Sequence, residues 1–425
     1  MAEDGVGAGV GVGGGVTVTE TRFEKPFTQQ EPISEGAIER AVDVMRSGRL
    51  HRYNTAEGEV SEAALLEEAY AEWQGARYCL ACASGGYGLR VALIAAGLKP
   101  GDPVLANAYT LAPVPGAIHG AGGVPVFVEI GRDWRLDPAD LDAKAAASGA
   151  RFLMLSHMRG HIADMGAVMA ICEARGITLI EDCAHTMGAA WAGKRSGNFG
   201  RVAAFSTQTY KHLNSGEGGF LTTDDAEIAA RAIVTSGSYM LYERHRARPP
   251  AEAFEAIRLD TPNYSGRMDN LRAAILRAEL PLIDERIARW NALYATMEAA
   301  LAGAPGVEVV RIPEAETHVG SSFQFHATGP GADGMPAFLA ACARRGVELK
   351  WFGAPQPAGF TSRFDSWRYL GAPQPLPRTL ETLATTVDMR LPLTFDEADC
   401  RLIASIIAEE AQRMPAPQDL ADLSA

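Results

Sequence analysis

The 425-residue chain predicts an α/β fold, with a large domain on a mainly parallel sheet followed by a smaller α+β domain. Three observations predict it. Between residues 78 and 222, seven short apolar runs recur with helical stretches between most of them, the rhythm of βαβ crossovers. Several of these runs lack the alternation of a strand with one wet face, as expected where both faces are covered. Beyond Asp269 the rhythm gives way to a long helical stretch and mixed elements, and the length exceeds what one ordinary core holds.

In chain order, residues 1–30 begin with alternating Gly and Val or Ala and read as a flexible tail. They contain G-x-G-x-x-G at Gly9, Gly11 and Gly14, but no strand precedes it and the following segment is polar, so a dinucleotide loop is not formed. The large domain, 31–268, opens with apolar helical periodicity at 35–45 and 60–73. Strands are expected at 78–82, 103–106, 124–130, 152–155, 178–181, 202–205 and 219–222, with helices such as 86–96 and 163–175 between them. The small domain, 269–413, is expected to hold a long helix over 270–301 ending at Gly303 and Pro305, strands at 307–311 and 322–326, and helices at 335–345 and 396–413. Residues 414–425 start Met-Pro-Ala-Pro and read as a disordered tail.

Composition removes several function classes. With 39 basic and 52 acidic residues the formal charge is −13, and no Lys/Arg cluster offers a footprint for nucleic acid. No stretch reaches the roughly 18 apolar residues of a membrane span, and the N-terminus lacks a signal-peptide pattern, so a cytoplasmic location is expected. The six cysteines are scattered, and Cys79 and Cys82 form a C-x-x-C within an apolar run without a second pair, a structural pattern. His157 and His161 share an H-x-x-x-H spacing, but the segment follows a strand and lacks the H-E-x-x-H glutamate, so no metal site is expected.

In an open parallel sheet ligands bind beyond the carboxyl ends of the strands, where three segments stand out. Ala83-Ser-Gly-Gly-Tyr-Gly-Leu89 joins a strand to a helix, and its small residues let backbone N–H groups meet an anion; a tight turn needing glycine is the alternative. Asp182 closes a strand with His185 three residues on. A carboxylate there needs a cationic partner, and a protonated heterocyclic nitrogen would serve; a helix N-cap is the alternative. Lys211 lies in a polar loop before Gly216-Glu-Gly-Gly219, where a lysine beside a carboxylate and a phosphate pocket can bond an aldehyde cofactor; alone it would read as a surface charge.

Together these segments resemble the pyridoxal-phosphate-dependent sugar aminotransferases of the DegT/DnrJ/EryC1/StrS family. Further echoes run from about residue 34 to 412: Ser47-Gly48, 67–75, Gly101-Asp102, His157 with Gly160 and Asp164-Met165, Glu181-Asp182 and 263–268. The resemblance implies a fold-type-I PLP-transferase, aspartate aminotransferase-like, moving an amino group from glutamate or glutamine to a keto-sugar or cyclitol ketone, with pyridoxamine phosphate formed in the half-reaction. It implies that Lys211 is the Schiff-base lysine and proton carrier, that Asp182 holds the pyridinium nitrogen, and that His185 lies near the ring unless it is a satisfied buried histidine. Ser206 with Gly85 and Gly86 would bind the phosphate. A homodimer is implied, because the family completes this pocket from a second subunit, and Asn263 is the candidate cross-subunit donor against a simple turn role.

The chain also departs from the family. Ser84-Gly85-Gly86 replaces the frequent Ser-Gly-Thr, which leaves more of the phosphate to backbone amides. The aromatic that often stacks on the cofactor aligns with Leu111, so either Tyr109 substitutes or the ring packs on an aliphatic chain. Ser265 and Gly266 interrupt an Asn-Tyr-Arg run. A sugar dehydratase of the same fold has histidine in place of the lysine, which Lys211 argues against; a non-catalytic regulatory homologue would rest on the altered phosphate turn, and a nicotinamide dehydrogenase lacks its loop. For substrate contact the family regions are Arg49 to Tyr53 and Tyr239, Tyr242, Arg244 and Arg246, with no residue deciding the acceptor.

Overall fold

The computed structural model describes residues 21–414. Seven strands form the main sheet: β1 (Tyr78–Cys82), β2 (Pro103–Asn107), β3 (Val124–Val128), β4 (Phe152–Ser156), β5 (Thr178–Asp182), β6 (Val202–Ser206) and β7 (Gly219–Thr223). Their order is β1-β7-β6-β5-β4-β2-β3, with β7 antiparallel to both neighbours and the other pairs parallel. Every strand but β3 and the end residues is buried on both faces, which is why the runs read as apolar without alternation. The register pairs Ser156 with Asp182, Asp182 with Ala204, and Ser206 with Gly219, so the polar ends of β4, β5 and β6 share one edge.

Helices α1 (Glu35–Ser47), α2 (Glu62–Gln74), α3 (Gly85–Ala95), α4 (Pro113–Gly120), α5 (Pro138–Ser148), α6 (Met165–Arg175) and α7 (Ala226–Gly237) flank or connect these strands. Most start on a side-chain cap: Ser34, Ser61, Ser84, Asp137, Asp164 and Asp225 each accept from a first-turn amide. Inside the fold a buried ion pair joins α2 to β1: Arg52 Nη2 lies 2.9 Å from Glu67 Oε2, Glu67 Oε1 accepts from Ala81 N, and His245 closes the group at 3.0 Å. Burial alone would raise the Glu67 carboxyl, but Arg52 and His245 hold it at about 2.

The expected long helix over 270–301 is divided into α8 (Asn270–Glu279), a single 3-10 turn, and α9 (Ile283–Leu301). Pro281 lies in that turn and cannot donate to the preceding one. α8 packs on α1 and α2, so the segment just past 269 packs with helices of the large unit. Beyond α9, strands β8 (Val307–Glu308), β9 (Ser322–Ala327), β10 (Lys350–Trp351) and β11 (Thr386–Arg390) form an antiparallel sheet ordered β8-β9-β11-β10. α10 (Gly331–Arg344), α11 (Pro377–Thr385) and α12 (Glu397–Arg413) complete it. One buried cluster runs through both units, from Leu105 and Leu153 to Phe323 and Ile403.

The tail assigned to 1–30 is corrected over its last third. Phe23 and Phe27 are buried, each 5.0 Å edge-on from Phe395, and Phe23 N donates to Arg345 O. Two aromatics in a polar stretch found a core to enter. The remaining tail expectations, 1–20 and 415–425, lie outside the described residues. Among the described residues no helix is long and apolar enough to cross a membrane.

Candidate active site

The shared strand edge opens into a cavity of about 680 Å³ that is also lined by residues of the second unit, Phe360 and Arg390. Lys211, Asp182, His185, Ser206, Gly85 and Gly86 all line it. Each owes its place to a strand end. Asp182 ends β5, Ser206 ends β6, and Gly85-Gly86 open α3 directly after β1. The loop from β6 to β7 is folded back by Thr207 N donating to Gly218 O and by Ser215 N donating to Thr207 O, and a turn from Gln208 O to Lys211 N sets the lysine. Gly218 has φ 149° and a Cβ there would meet Thr207 Oγ1 at 2.4 Å, so this closure requires glycine.

Lys211 Nζ lies 2.6 Å from His185 Nε2, and Arg159 N donates to His185 Nδ1 at 3.3 Å. A backbone N–H can only donate, so Nδ1 is the acceptor and the ring proton belongs on Nε2, facing Nζ. An amine receiving that proton must present its lone pair. The electrostatics agree: burial and then the Arg159 charge lower the Lys211 amine to about 7, against the pull of Asp182. Burial and then Lys211 push the His185 imidazole well below its usual range, so it is neutral.

Asp182 is buried at 8% exposure and accepts from Ser156 Oγ at 2.8 Å and from Ala184 N at 3.1 Å. Among the described residues it has no ion-pair partner, so a buried carboxylate faces the cavity with neutral donors only, an arrangement that suits a cationic ring nitrogen. At the other end Ser84 caps α3 by accepting from Tyr87 N. A Cβ on Gly85 would lie 2.9 Å from Ser206 Cβ, and one on Gly219 would lie 2.6 Å from Gly85 N. This close approach leaves the first-turn amides of a helix as an anion cradle beside the Ser206 hydroxyl. A cradle, an amine and an unpaired acid in one cavity are the donor set that a phosphate-bearing pyridine aldehyde requires.

Two expected residues lie elsewhere. Tyr109 is 1% exposed and packs edge-on against Phe352 at 5.0 Å, outside the cavity, while Leu111 lines it. Asn107 Nδ2 donates to Tyr109 O and turns the chain there, which sends the tyrosine ring into the second unit. Of the two expected alternatives, Leu111 is therefore the one that reaches the cavity wall in this chain, and Tyr109 does not. Asn263 does not line this chain's cavity; its Oδ1 accepts from Ser265 N and Oγ, so within one chain it forms a turn. The Ser265-Gly266 interruption has a packing reason: a Cβ on Gly266 would strike the Tyr87 ring at 2.0 Å, and Gly266 O accepts from Ala83 N.

Of the substrate-region residues, Arg52 and Tyr53 belong to the buried Glu67 group, Tyr242 stacks on Phe254, and Arg246 pairs with Glu68 at the surface. None lines the cavity of its own chain. His157 and His161 diverge: His157 Nε2 meets Glu181 and His161 Nε2 meets Gln324. Donor atoms of His157, Glu181 and Cys183 lie within 4.8 Å of one another, but Glu181 already accepts from the amides of Gly197, Phe199 and Gly200. All six cysteines are buried and free.

Sequence reasoning missed Ser156, Arg159, Tyr210 and Arg390, which also line the cavity. Ser156 falls one residue past an expected strand end, and Arg159 sits inside the His157-to-Gly160 echo at φ 57°. Arg390 ends β11, a strand that no expectation covered.

A family model described as the DegT/DnrJ/EryC1/StrS aminotransferase family matches residues 32–394. The chain is 32% identical over 278 residues to a pleiotropic regulatory protein of Geobacillus stearothermophilus, covering 64% of this chain and 70% of that one. It is 32% identical over 287 residues to the L-glutamine:2-deoxy-scyllo-inosose aminotransferase of Micromonospora echinospora, covering 66% and 67%. Its fold is similar to that of S. venezuelae DesV in complex with a ketimine intermediate, with a TM-score of 0.75 at 25% identity over 89% of this chain and 95% of that one.

Proposed function

The chain belongs to the DegT/DnrJ/EryC1/StrS aminotransferase family, and we propose that it is a pyridoxal-phosphate-dependent aminotransferase taking an amino group from glutamine or glutamate and giving it to a keto-sugar or cyclitol ketone. The observation that carries this reading is the Lys211 amine, 2.6 Å from a neutral His185 in a cavity that also holds the unpaired Asp182. The likeness to a glutamine-dependent cyclitol aminotransferase supports the donor and the ketone class.

When bound, pyridoxal phosphate supplies the electron sink that lets an amino donor lose its Cα proton. In the proposal Lys211 would hold the cofactor at its aldehyde carbon, and its free amine would serve as the acid–base group that moves the donor's proton. An amine lowered to about 7 is suited to both tasks near neutral pH. His185 Nε2–H orients Nζ. Asp182, fixed by Ser156 and Ala184, holds the ring nitrogen protonated. Gly85, Gly86 and Ser206 take the phosphate, and Leu111 forms the wall against the ring. A second copy of the chain would complete the pocket through the loop carrying Asn263, whose neighbours Leu259 and Tyr264 are exposed at 83% and 41%.

The test is the near-visible absorption of the purified protein before and after glutamine or glutamate, beside Lys211→Ala. The expected result is a cofactor band that a donor bleaches in the wild type, with turnover falling by at least about 10²-fold in the variant. A protein that stays colourless after pyridoxal phosphate is added, or a variant with substantial transamination, defeats the reading.

A further inference from the structure

β4 reads Phe-Leu-Met-Leu until its last residue, where Ser156 puts a hydroxyl into an otherwise apolar and fully buried strand. The register sets Ser156 opposite Asp182, at the carboxyl end of the parallel neighbour β5. Ser156 is 4% exposed, so its O–H needs an acceptor, and it lies 2.8 Å from Asp182 Oδ2. An ionised carboxylate only accepts, so the hydroxyl proton points at Oδ2. The other oxygen, Oδ1, accepts from Ala184 N at 3.1 Å. Each oxygen of the acid therefore carries one neutral donor.

Ser156 itself is clamped by its backbone. β2 pairs with β4 only as far as Met154, and past that point the side chain of Asn107 takes over the ladder. Its Oδ1 accepts from Ser156 N at 2.9 Å and its Nδ2 donates to Ser156 O at 3.0 Å. From the other side His157 N donates to Asp182 O at 3.1 Å. These bonds use main-chain atoms of Ser156 and its neighbour, so they hold the strand end whatever side chain stands at 156. Among the described residues the hydroxyl's one hydrogen bond is to the acid.

A carboxylate facing a pyridine nitrogen shares one proton with it. A hydrogen bond donated to the carboxylate favours its charged form, which leaves that proton on the nitrogen. Resting on the aminotransferase reading, we infer that Ser156 is a positioning residue for the cofactor: acting through Asp182, it keeps the shared proton on the ring nitrogen. Two titratable groups couple to the same acid. Lys211 is lowered by burial and Arg159 against the pull of Asp182, and Cys183 is raised by burial, Glu181 and Asp182. His185, Arg159, Arg390 and Glu217 share the cavity lining, and all of these groups are the same in wild type and in Ser156→Ala.

The test reconstitutes wild type, Ser156→Ala and Ser156→Thr with pyridoxal phosphate carrying nitrogen-15 in its ring, and follows that resonance by NMR from about pH 6 to 10. The nitrogen is expected to give up its proton about one pH unit lower in Ser156→Ala than in wild type, the size of one charge-assisted hydrogen bond. Ser156→Thr restores the hydroxyl and is expected to return the curve toward wild type. A resonance that follows one curve in wild type and Ser156→Ala, or a Ser156→Thr curve that matches alanine, overturns the inference and leaves the aminotransferase reading standing. A wild type that does not take up the labelled cofactor defeats the aminotransferase reading itself.

Discussion

Replacing Lys211 with methionine should stabilise the cofactor-free protein, and the gain should depend on pH in one direction. Burial and the neighbouring Arg159 lower the amine from 10.5 to about 7. Below pH 7 the lysine is protonated in both folded and unfolded chains, and the folded state carries the full cost of a cation in that cavity. Between about 7 and 10.5 the folded amine is neutral while the unfolded one still binds a proton, so the cost fades as pH rises and is gone near 10.5. Three and a half pH units at about 1.4 kcal/mol each set a ceiling of roughly 5 kcal/mol. Water in the open cavity screens part of this, leaving about 2–3 kcal/mol, or a few degrees in unfolding temperature for a chain of this size. Methionine adds its own apolar contribution, but that is independent of pH. The assay is scanning calorimetry of both proteins from pH 7 to 10, where His185 is neutral throughout. The expected difference is largest at pH 7 and shrinks steadily. A difference that stays flat, or grows with pH, would refute the account of Lys211 as an amine held neutral by its surroundings.

Two further outcomes test the cradle and the core. Gly85→Ala puts a Cβ 2.9 Å from Ser206 Cβ and 3.2 Å from Phe205 O, whereas at Gly86 the nearest atom is Pro113 Cβ at 3.5 Å. Fluorescence titration with pyridoxal phosphate should therefore show affinity falling about tenfold or more in Gly85→Ala, the overpacking cost of about 1–3 kcal/mol, and little change in Gly86→Ala; equal effects would mean that the close approach of α3 to β6 does not shape the site. Glu67→Gln leaves Arg52, 1% exposed, without its counter-charge and should cost about 3–5 kcal/mol in urea unfolding. Since Glu67 is held at about 2, the wild-type contribution is complete above roughly pH 4.5 and is lost only as pH falls toward 2, so a wild-type advantage that vanishes near pH 6 would contradict it.

What the sequence discloses and what it hides follow from how far apart the interacting residues are. The strands of the main sheet were legible because all but β3 are buried on both faces and they are separated by polar or glycine-containing segments, a local signal. Their ends fell one residue short at Asn107, Ser156, Asp182 and Ser206, each polar. At Ser156, Asp182 and Ser206 that bias has a structural cause, since each is both the last residue of its strand and part of the cavity lining. The break at Pro281 was missed because the periodicity on either side continues across it. Phe23 and Phe27 were missed because the ring they both pack on, Phe395, is more than 360 positions away.

The same reasoning explains which half of the cavity could be read. Lys211, Asp182, His185 and Gly85 stand in short segments whose composition is odd for an apolar sheet, so each announces itself within ten residues. Tyr109 was misplaced because an aromatic near the right position does not reveal which way the turn after Asn107 sends its ring. Arg390 lies in a short strand with no motif about it, and its meaning arises only when the second unit's sheet carries it back to Tyr210 and Lys211, far earlier in the chain. Local composition marks the residues at the strand ends of the main sheet, whereas the wall supplied by the second unit is brought to them only by the fold. The sequence is silent on that wall for the same reason, since no short segment contains both Arg390 and the residues it faces.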